Sequence, residues 1–351
     1  MHARNDKKKG CSDKKLRYIC RMKHISILIP NGAVLGSIEG PRQVFTEANK
    51  FITSLGKSDL CNVQLVGLTE QVPVCGGKYM VNADVLIKDV KKTDLIIIPA
   101  IDGDMEKLIE INKDFYPWVV EQHKQGAEVA SLCVGAFLLA STGLLSGKQC
   151  ATHWMASQHF KKMFPDVQLV EDKIITDELG LYSSGGAFSY LNLILYIIEK
   201  YAGRDVAVFM SKAFQIDIDR RSQSQFIIFN GQKSHEDESI KKAQEFIESN
   251  FQGRIAIDQL ADMFAIGRRS FERRFKKATN NTVVEYMHRV KVEFAKRSFE
   301  SSRKNIHEVM YEVGYSDAKA FREVFKKITK LTPIEYRNKY NKQFVGTELS
   351  N

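Results

Sequence analysis

Cys133 and His153 are the two side chains in this sequence whose types and spacing best suit covalent chemistry. Residues 128–132 predict a buried strand, and Cys133 follows directly, where a helix pattern begins. A thiol at such a turn points out of a sharp bend, and nearby helix N–H groups lower its pKa. His153, twenty residues later, is of the type that takes a proton from a nucleophilic thiol. The pair indicates either a reactive cysteine or a turn that is kept only for the fold.

A basic segment that occurs twice, fifty residues apart, is the second feature with chemical meaning. Residues 270–286 and 320–336 are identical at eight aligned positions. These positions are Phe271/Phe321, Phe275/Phe325, Lys276/Lys326, Lys277/Lys327, Thr279/Thr329, Thr282/Thr332, Glu285/Glu335 and Tyr286/Tyr336. Each copy places two Phe residues four apart among basic residues, which puts both rings on one face of a helix. We therefore expect two helices, each with one face in a core and a basic face toward an anionic partner.

Each basic helix follows a shorter helical pattern and a tight turn, so each copy predicts a helix-turn-helix. The supporting helices are expected at 257–264, capped by Asp258, and at Ile306–Val313. N-terminal side chains of such a reader helix reach base edges, and later lysines touch phosphates. The predicted DNA-binding residues are Arg268, Arg269, Glu272, Arg273, Lys276, Lys319, Arg322 and Lys326. The alternative for any single arginine is a solvated phosphate contact.

The elements that must position Cys133 and His153 alternate between strand and helix patterns. The predicted strands are Ile25–Ile29, Val63–Leu68, Leu95–Ile98 and Val129–Leu132, and the predicted helices are Gly40–Leu55, Met105–Lys124, Gly135–Thr142 and Trp154–Phe164. This alternation is typical of an α/β fold with a doubly wound, mostly parallel sheet, whose sites lie at the carboxyl ends of the strands. The chain after residue 240 predicts an all-α domain with two helix-turn-helix units, joined by a long helix at Val283–Ser298.

Charge divides the chain in the same way. Residues 24–237 contain 20 Lys and Arg against 25 Asp and Glu, whereas residues 238–341 contain 22 against 14. An acidic body with a basic C-terminal part is typical of a regulator that has separate sensing and DNA-binding parts. The first 21 residues are polar, basic and aperiodic. We expect that translation starts at Met22 or that this tail is disordered; a DNA-steering arm is the less favoured alternative.

Several classes of protein are disfavoured. Six cysteines without a CxxC spacing or a signal peptide indicate reduced thiols in the cytoplasm rather than a disulfide framework. No apolar run reaches the roughly 18 residues that a membrane span needs. His153 and His159 are six apart and do not share a helix face, and Gly143–Lys148 lacks the Ser or Thr of a phosphate loop. We therefore expect no metal, no cofactor and no membrane partner.

Residues 130–154, which read CxGAFxLAxxGLLxGxxxTHW from Cys133 onward, resemble the ThiJ/PfpI-type, class I glutamine-amidotransferase-like domain of one branch of AraC-type regulators. The resemblance extends over residues 24–230 and implies a flavodoxin-like sheet. Enzymes of this superfamily add an acidic residue to the Cys and the His. By alignment that position falls on Ser37, with Glu39 two residues away. The resemblance therefore implies no catalytic residues and an effector pocket at Cys133, His153 and Ser37, the alternative being a cysteine-dependent hydrolase or glyoxalase-like enzyme fused to a DNA-binding domain.

The C-terminal region resembles the AraC/XylS family DNA-binding domain. The residues that carry this resemblance are Gly314-Tyr315-Ser316, Phe321, Phe325-Lys326-Lys327 and Thr332-Pro333-Ile334-Glu335-Tyr336-Arg337. Glu323 stands where the family commonly has Arg, and Asn280 and Val283 replace its usual Gly and Pro after the first reader helix. We infer from Glu323 that the first unit dominates base reading.

Together these observations predict a sequence-specific transcription regulator, more often an activator in this family, that is controlled by a small-molecule effector. The expected partners are promoter DNA, a second copy of the chain and, for an activator, RNA polymerase. A nucleoid-type, nonspecific DNA binder is the remaining alternative. The predicted segments are a basic tail at 1–22, a sensor and dimerisation domain at 23–230, a linker at 231–239, a DNA-binding domain at 240–341 and a tail at 342–351.

Overall fold

The computed structural model of the protein describes residues 22–218, 220, 222–233 and 235–341. The chain forms two compact units that divide between residues 221 and 222. Of the predicted basic tail, only Met22 falls within the described residues, and the predicted tail at 342–351 lies wholly outside them.

The first unit alternates short strands and helices. Its strands are β1 (Lys23–Leu28), β2 (Cys61–Gly67), β3 (Gln71–Val74), β4 (Tyr79–Asn82), β5 (Val85–Leu86), β6 (Leu95–Ile98), β7 (Glu128–Leu132), β8 (Gln149–Cys150), β9 (Gln168–Leu169), β10 (Ile175–Glu178) and β11 (Leu181–Ser184). Its α-helices are α1 (Leu35–Ser54), α2 (Met105–Ile111), α3 (Tyr116–Lys124), α4 (Ala136–Ser141), α5 (Ser157–Met163), α6 (Tyr190–Ala202) and α7 (Arg204–Ala213). All four predicted strands and the α/β alternation are confirmed.

A seven-stranded sheet in the order β10-β11-β7-β6-β1-β2-β5 forms the centre of this unit. All its pairs are parallel except β10 with β11. Apolar clusters cover both faces, one formed with α1, α6 and α7 and the other with α2 to α5. Because both faces are covered, the central strand β6 is a continuous buried Leu-Ile-Ile-Ile run. The predicted doubly wound, mostly parallel sheet is confirmed.

Two predicted helices differ from those observed. The helix expected at Gly40–Leu55 begins earlier, at Leu35, and the helix expected at Met105–Lys124 is broken into α2 and α3. The break lies at Asn112, which is fully buried. Its side chain accepts from the Asn31 amide (2.8 Å) and donates to the Asn31 carbonyl (3.0 Å). This bonding to a distant backbone segment favours a chain reversal over a continued helix.

Ser183 and Ser184 end strand β11. Both side chains are fully buried. Ser183 Oγ accepts from the Ala151 amide (2.6 Å), and Ser184 Oγ accepts from the Cys133 amide (3.3 Å). These bonds satisfy the buried hydroxyls inside the sheet, so the helix begins only at Tyr190.

The second unit is helical. Its α-helices are α8 (Glu238–Ser249), α9 (Ile257–Met263), α10 (Arg268–Thr279), α11 (Val283–Ser301), α12 (Ile306–Glu312), α13 (Ala318–Thr329) and α14 (Pro333–Tyr340). A single apolar cluster draws residues from all seven helices. The two predicted helix-turn-helix units are α9–α10 and α12–α13, and the predicted connecting helix is α11.

The repeated aromatic residues form equivalent contacts in both copies. Phe275 packs edge-on against Tyr286 at a centroid distance of 5.3 Å, and Phe325 packs in the same way against Tyr336 at 5.5 Å. Each tyrosine hydroxyl donates to a glutamate, Tyr286 to Glu248 of α8 and Tyr336 to Glu300 of α11. The identical aromatic positions are thus core positions.

The repeated Thr and Glu residues end one helix and begin the next. Thr279 Oγ1 donates to the Phe275 carbonyl at 2.8 Å, and Thr329 Oγ1 makes the equivalent bond in the second copy at 2.9 Å. Thr282 with Glu285, and Thr332 with Glu335, form complete capping boxes at the starts of α11 and α14. Of the eight identities, only the two lysine positions are exposed without a part in the core or a cap.

Residues from 222 to the start of α8 belong to the second unit. The sequence prediction assigned residues 222–230 to the first domain and 231–239 to a linker. In the structure a 3₁₀ turn at Ser224–Phe226 packs on α13, and Phe229 packs on Tyr286 at a centroid distance of 5.1 Å. Phe226 and Phe229, in a stretch that also contains Ile227 and Ile228, account for this difference, because apolar side chains gain stability by burying area against the helices.

Candidate nucleic-acid interface and candidate effector site

Helix α10 presents the first set of predicted DNA-binding side chains. Arg269, Arg273 and Lys276 are exposed, and Glu272 is partly exposed beside them. Their spacing places them on one side of the helix, opposite the fully buried Phe271. The helix therefore offers a mainly basic face that is held in place by its aromatic face.

Arg268 is exposed but is tied to the supporting helix. Its Nη1 donates to both carboxylate oxygens of Asp258, at 2.8 and 3.1 Å, and its Nε lies 3.6 Å from Glu272. Asp258 was expected to cap α9; the helix instead has Ala256 at its N-cap, and Asp258 lies in the first turn. The carboxylate thus bonds to an arginine on the reader helix rather than to backbone amides.

The neighbouring arginine of α10 has a structural role. Arg274 donates through Nε and Nη2 to the two carboxylate oxygens of Asp237, at 2.8 and 2.7 Å. These hydrogen bonds lower the pKa of Asp237 below its ordinary value. Asp237 also caps α8 by accepting from the Ile240 amide. This pair was not predicted, although two signals could have found it: an aspartate at the capping position before α8 and an arginine outside the predicted reading face of α10.

Helix α13 presents the second set. Lys319, Arg322 and Lys326 are exposed, and Glu323, also exposed, lies among them. Asp317 caps the helix by accepting from the Lys319 amide at 2.9 Å. Each reading face therefore carries basic residues and one acidic residue, Glu272 in the first and Glu323 in the second, and the first carries more arginine.

Cys133 lies on the predicted turn between β7 and α4, with a left-handed backbone (φ 55°). Gly135 allows this turn, because a Cβ there would lie 2.4 Å from the Pro99 carbonyl oxygen. Cys133 as a whole residue is only 6% exposed, and burial raises the pKa of its thiol to about 11. The expected lowering of the pKa by helix N–H groups is therefore wrong, because desolvation of the thiolate outweighs it. At neutral pH Cys133 is a neutral thiol.

His153 lies beside this turn but bonds elsewhere. Thr152 Oγ1 donates to the Cys133 carbonyl at 3.1 Å and holds the histidine segment against the turn. The Nδ1 atom of His153 accepts from the Met155 amide at 3.2 Å and caps a short 3₁₀ turn. Burial lowers the pKa of His153 and so favours the neutral form of the imidazole. Its observed bond is that of a cap.

Ser37 lies at the same edge of the sheet and joins two backbone segments. Its Oγ donates to the Val34 carbonyl at 2.7 Å and accepts from the Ala100 amide at 3.0 Å. Glu39, the nearby carboxylate, pairs with Arg42 at 2.6 and 2.7 Å. Ser37 bonds to the Ala100 amide, and Gly135 of the Cys133 turn lies close to the Pro99 carbonyl, so both approach the residues that follow β6. Ser37 and His153 each accept from a backbone amide.

Two other kinds of site are absent from the residues that the structure describes. Within that part of the chain, no group of three or more His, Cys, Asp or Glu residues is arranged to hold a metal ion. No helix there is long and apolar enough to cross a membrane.

Comparison with known proteins follows the division of the structure. Residues 24–200, half of the chain, match the profile of the DJ-1/PfpI family. The chain belongs to the DJ-1/PfpI family. Residues 260–339 match a helix-turn-helix domain of AraC type. Both resemblances stated from the sequence are thus confirmed.

Its curated relatives include regulators from Pseudomonas aeruginosa. The HTH-type transcriptional regulator ArgR is 24% identical over 216 residues, which cover 61% of this chain and 65% of that protein. The HTH-type transcriptional regulator CdhR is 20% identical over 312 residues, which cover 89% and 90%. The match spans just under two-thirds of the length of ArgR and of the related regulator GbdR.

The fold of the first unit also occurs in a solved structure. A crystal structure of a protein from Vibrio parahaemolyticus aligns with a TM-score of 0.50 and 22% identity, covering 55% of this chain and 99% of that one. This likeness concerns the fold alone.

Proposed function

We propose that this chain is a sequence-specific DNA-binding transcription regulator whose DJ-1/PfpI domain binds a small-molecule effector without catalysis. The observation that carries the proposal is the duplicated helix-turn-helix. Its two copies have the same buried aromatic residues, but their exposed faces carry different side chains. A binder that only neutralised phosphates would need positive charge but no such difference between its reader helices. The regulator names of the P. aeruginosa relatives support the same function.

The partner is double-stranded promoter DNA, read by α10 and α13 from successive major-groove segments. An arginine that is bidentate to guanine supplies ~1–3 kcal/mol of discrimination. A second copy of the chain pairs with the first, so the operator contains paired half-sites. RNA polymerase is a further partner where the protein activates transcription, and the site of action is the cytoplasm. Neither a cofactor nor a metal takes part.

Selection of binding sites from a random duplex library with the full-length protein tests DNA reading. We expect a defined motif whose enrichment persists at moderate salt, because base contacts depend less on counterion release than phosphate contacts do. Loss of all sequence preference at that salt would instead establish the nonspecific, nucleoid-type binder. Footprinting across the genome with and without candidate nutrients would then identify both target operons and effector class.

The arguments against catalysis are the raised pKa of Cys133, the capping role of His153 and the backbone bonds of Ser37. One observation favours the alternative enzyme, namely the left-handed backbone at Cys133, since strained turns of this kind present nucleophiles. Purified protein incubated with amide, peptide and 2-oxoaldehyde substrates should show no turnover. Turnover that the Cys133→Ser variant abolishes would establish a cysteine-dependent hydrolase or glyoxalase-like enzyme.

A further inference from the structure

The segment that leads from the first unit to α8 packs on the helices of the second unit. We name residues 225–233 and 235–237 the strap. Gln225, its first residue, comes four residues after the end of the first unit. Because the chain passes from one unit to the other once, the strap is the covalent route between the effector domain and the reader helices.

The strap begins against the second helix-turn-helix unit. The Nζ atom of Lys339 in α14 donates to Gln225 Oε1 at 2.7 Å. The same ammonium lies 5.5 Å from the centroid of the Phe226 ring. The 3₁₀ turn that contains these residues packs on the reader helix α13. The first anchor of the strap therefore touches the helices of the second reader.

Its middle is held by a buried ion pair on α11. Glu293 and Lys296 are only 7% and 4% exposed, and they pair at 2.8 Å. Lys296 Nζ donates to the Ile227 carbonyl at 2.6 Å, and the Phe229 amide donates to Glu293 Oε2 at 3.1 Å. Buried charges need such additional hydrogen bonds, so the pair depends on the strap as much as the strap depends on the pair.

The end of the strap is held by α8, by α10 and by the turn that follows α10. The Gln232 carbonyl accepts from Gln244 Nε2 of α8 at 3.0 Å, and Gln232 Oε1 accepts from Asn281 Nδ2 at 3.1 Å. Asp237 then pairs with Arg274 of α10 through two hydrogen bonds. The strap thus contacts both reader units and the helix between them.

Gly231 lies where the strap crosses Tyr286. Its φ is +70°, and a Cβ there would lie 2.4 Å from Tyr286 Oη and 3.0 Å from Glu248 Oε1. These two atoms are themselves hydrogen-bonded at 2.6 Å. Any larger residue at position 231 therefore has to lift the strap or break that bond, which makes this glycine a point at which docking can be tested.

We propose that the docked strap holds the two helix-turn-helix units in the arrangement that binds DNA, and that release of the strap is how the effector domain lowers DNA affinity. This inference rests on the proposed DNA-binding function. A strap anchored to both reader units constrains their relative placement, and movement in the first unit reaches its first anchor after four residues.

The test compares two glycine substitutions in the full-length protein. Gly231→Ala forces the close contact described above, whereas Gly253→Ala is a matched control, because its added Cβ would meet nothing nearer than the Asn250 carbonyl oxygen at 3.6 Å. Amide hydrogen exchange along the strap and affinity for a selected operator duplex are measured for both. Phe229→Ala, which removes the ring packed on Tyr286, is a second way to release the strap if Gly231→Ala fails to fold.

We expect faster exchange in the strap and about tenfold weaker operator binding in Gly231→Ala and Phe229→Ala, with Gly253→Ala like the wild type. Faster strap exchange with unchanged affinity would overturn the proposal, and so would unchanged strap exchange in both variants. If the wild type shows no sequence preference, the proposed function has failed independently. In that case amide exchange in α10 and α13 tests the strap by itself. Faster exchange in both helices of the released variants would support the constraint, and unchanged exchange would contradict it.

Discussion

The two helix-turn-helix units differ where they face outward and agree where they face inward. Phe275 and Phe325 are both fully buried, and each packs edge-on against a tyrosine of the following helix. On the exposed side, Arg273 of α10 corresponds to Glu323 of α13. Folding requirements thus fixed the interior of both copies, and the exposed faces diverged.

The attachment of each reader helix to its supporting helix differs as well. In the first unit Asp258 of α9 binds Arg268 of α10. The corresponding residues of the second unit are His307 and Ala318, which cannot form that ion pair. The first reader is thereby bonded to its supporting helix by polar side chains near its N-terminus. This difference strengthens the expectation that the first unit dominates base reading.

Truncation of a buried Phe should cause the largest loss of stability, and the loss should be similar in the two helix-turn-helix units. Phe275→Ala and Phe325→Ala are each expected to lower the free energy of unfolding by about 3–5 kcal/mol, because each leaves a cavity in a shared core. Denaturant unfolding followed by circular dichroism measures this loss. The exposed Lys277→Ala and Lys327→Ala are matched controls with effects of about 0.5 kcal/mol or less. A unit that tolerates its Phe→Ala change would show that the two interiors are not equivalent.

Changes on the reading faces should separate the two units. Arg273→Ala is expected to weaken operator binding by ~1–3 kcal/mol and to relax preference at one base pair, because it removes a base contact. Arg322→Ala should have a smaller effect, measured by fluorescence anisotropy on the selected duplex. Arg274→Ala is a comparison of another kind: its side chain binds Asp237 of the strap, so the change should weaken binding to all duplexes alike without changing sequence preference. Normal binding by Arg273→Ala with loss in Arg322→Ala would reverse the ranking of the two units.

The capping boxes should again behave alike. Thr282→Ala and Thr332→Ala are each expected to lower the free energy of unfolding by about 1 kcal/mol. Hydrogen bonds from the capping threonines lower the pKa of both Glu285 and Glu335. The stabilisation from these carboxylates is therefore complete above the ordinary glutamate pKa, and it is lost as pH falls through the lowered value.

Thermal unfolding against pH measures this loss. Glu285→Gln and Glu335→Gln should each flatten the acid side of the stability profile. A profile that responds to only one of the two substitutions would mean that the boxes are unequal in solution.

The smallest effect is expected at the two helix ends. Asn280 (φ 56°) and Lys330 (φ 63°) both adopt the left-handed conformation at the C-caps of α10 and α13. Asparagine tolerates this conformation better than lysine does. Lys330→Gly should therefore raise the free energy of unfolding by up to about 1 kcal/mol, and Asn280→Gly by a few tenths. Equal gains, measured by calorimetry, would show that the two ends are equally strained.

The sequence predicted those features that depend on periodic burial. The apolar run of β6 and the paired Phe residues of α10 and α13 were correctly predicted to be buried, because their spacing follows the geometry of a strand or a helix. Features that depend on contacts distant in sequence were missed. Nothing near Asn112 indicates that its side chain binds the backbone of Asn31. Polar β11 gave no strand signal, because its buried hydroxyls bond to segments 32 and 51 residues away.

The candidate sites show the same limit. The Cys133 turn was located from its neighbours in sequence, but the direction of its pKa shift depends on burial by distant elements. Likewise, the exposed face of α10 was predicted correctly, whereas the bond from Arg268 to Asp258 requires knowing how α9 and α10 pack. Residue spacing determines which side chains share a face, and tertiary packing determines their protonation and partners.

The two glutamates that accept hydrogen bonds from Tyr286 and Tyr336 determine which fragments of the protein can fold. Tyr286 at the start of α11 bonds to α8, whereas Tyr336 of α14 bonds to Glu300 near the end of α11. One helix therefore serves as the last helix of the first unit and the opening helix of the second. A fragment that stops within α11 leaves both helix-turn-helix copies incomplete, so a fragment that reads DNA has to include the strap and all helices from α8 to α14. The repeat is visible in the sequence, but its two copies are not independent folding units.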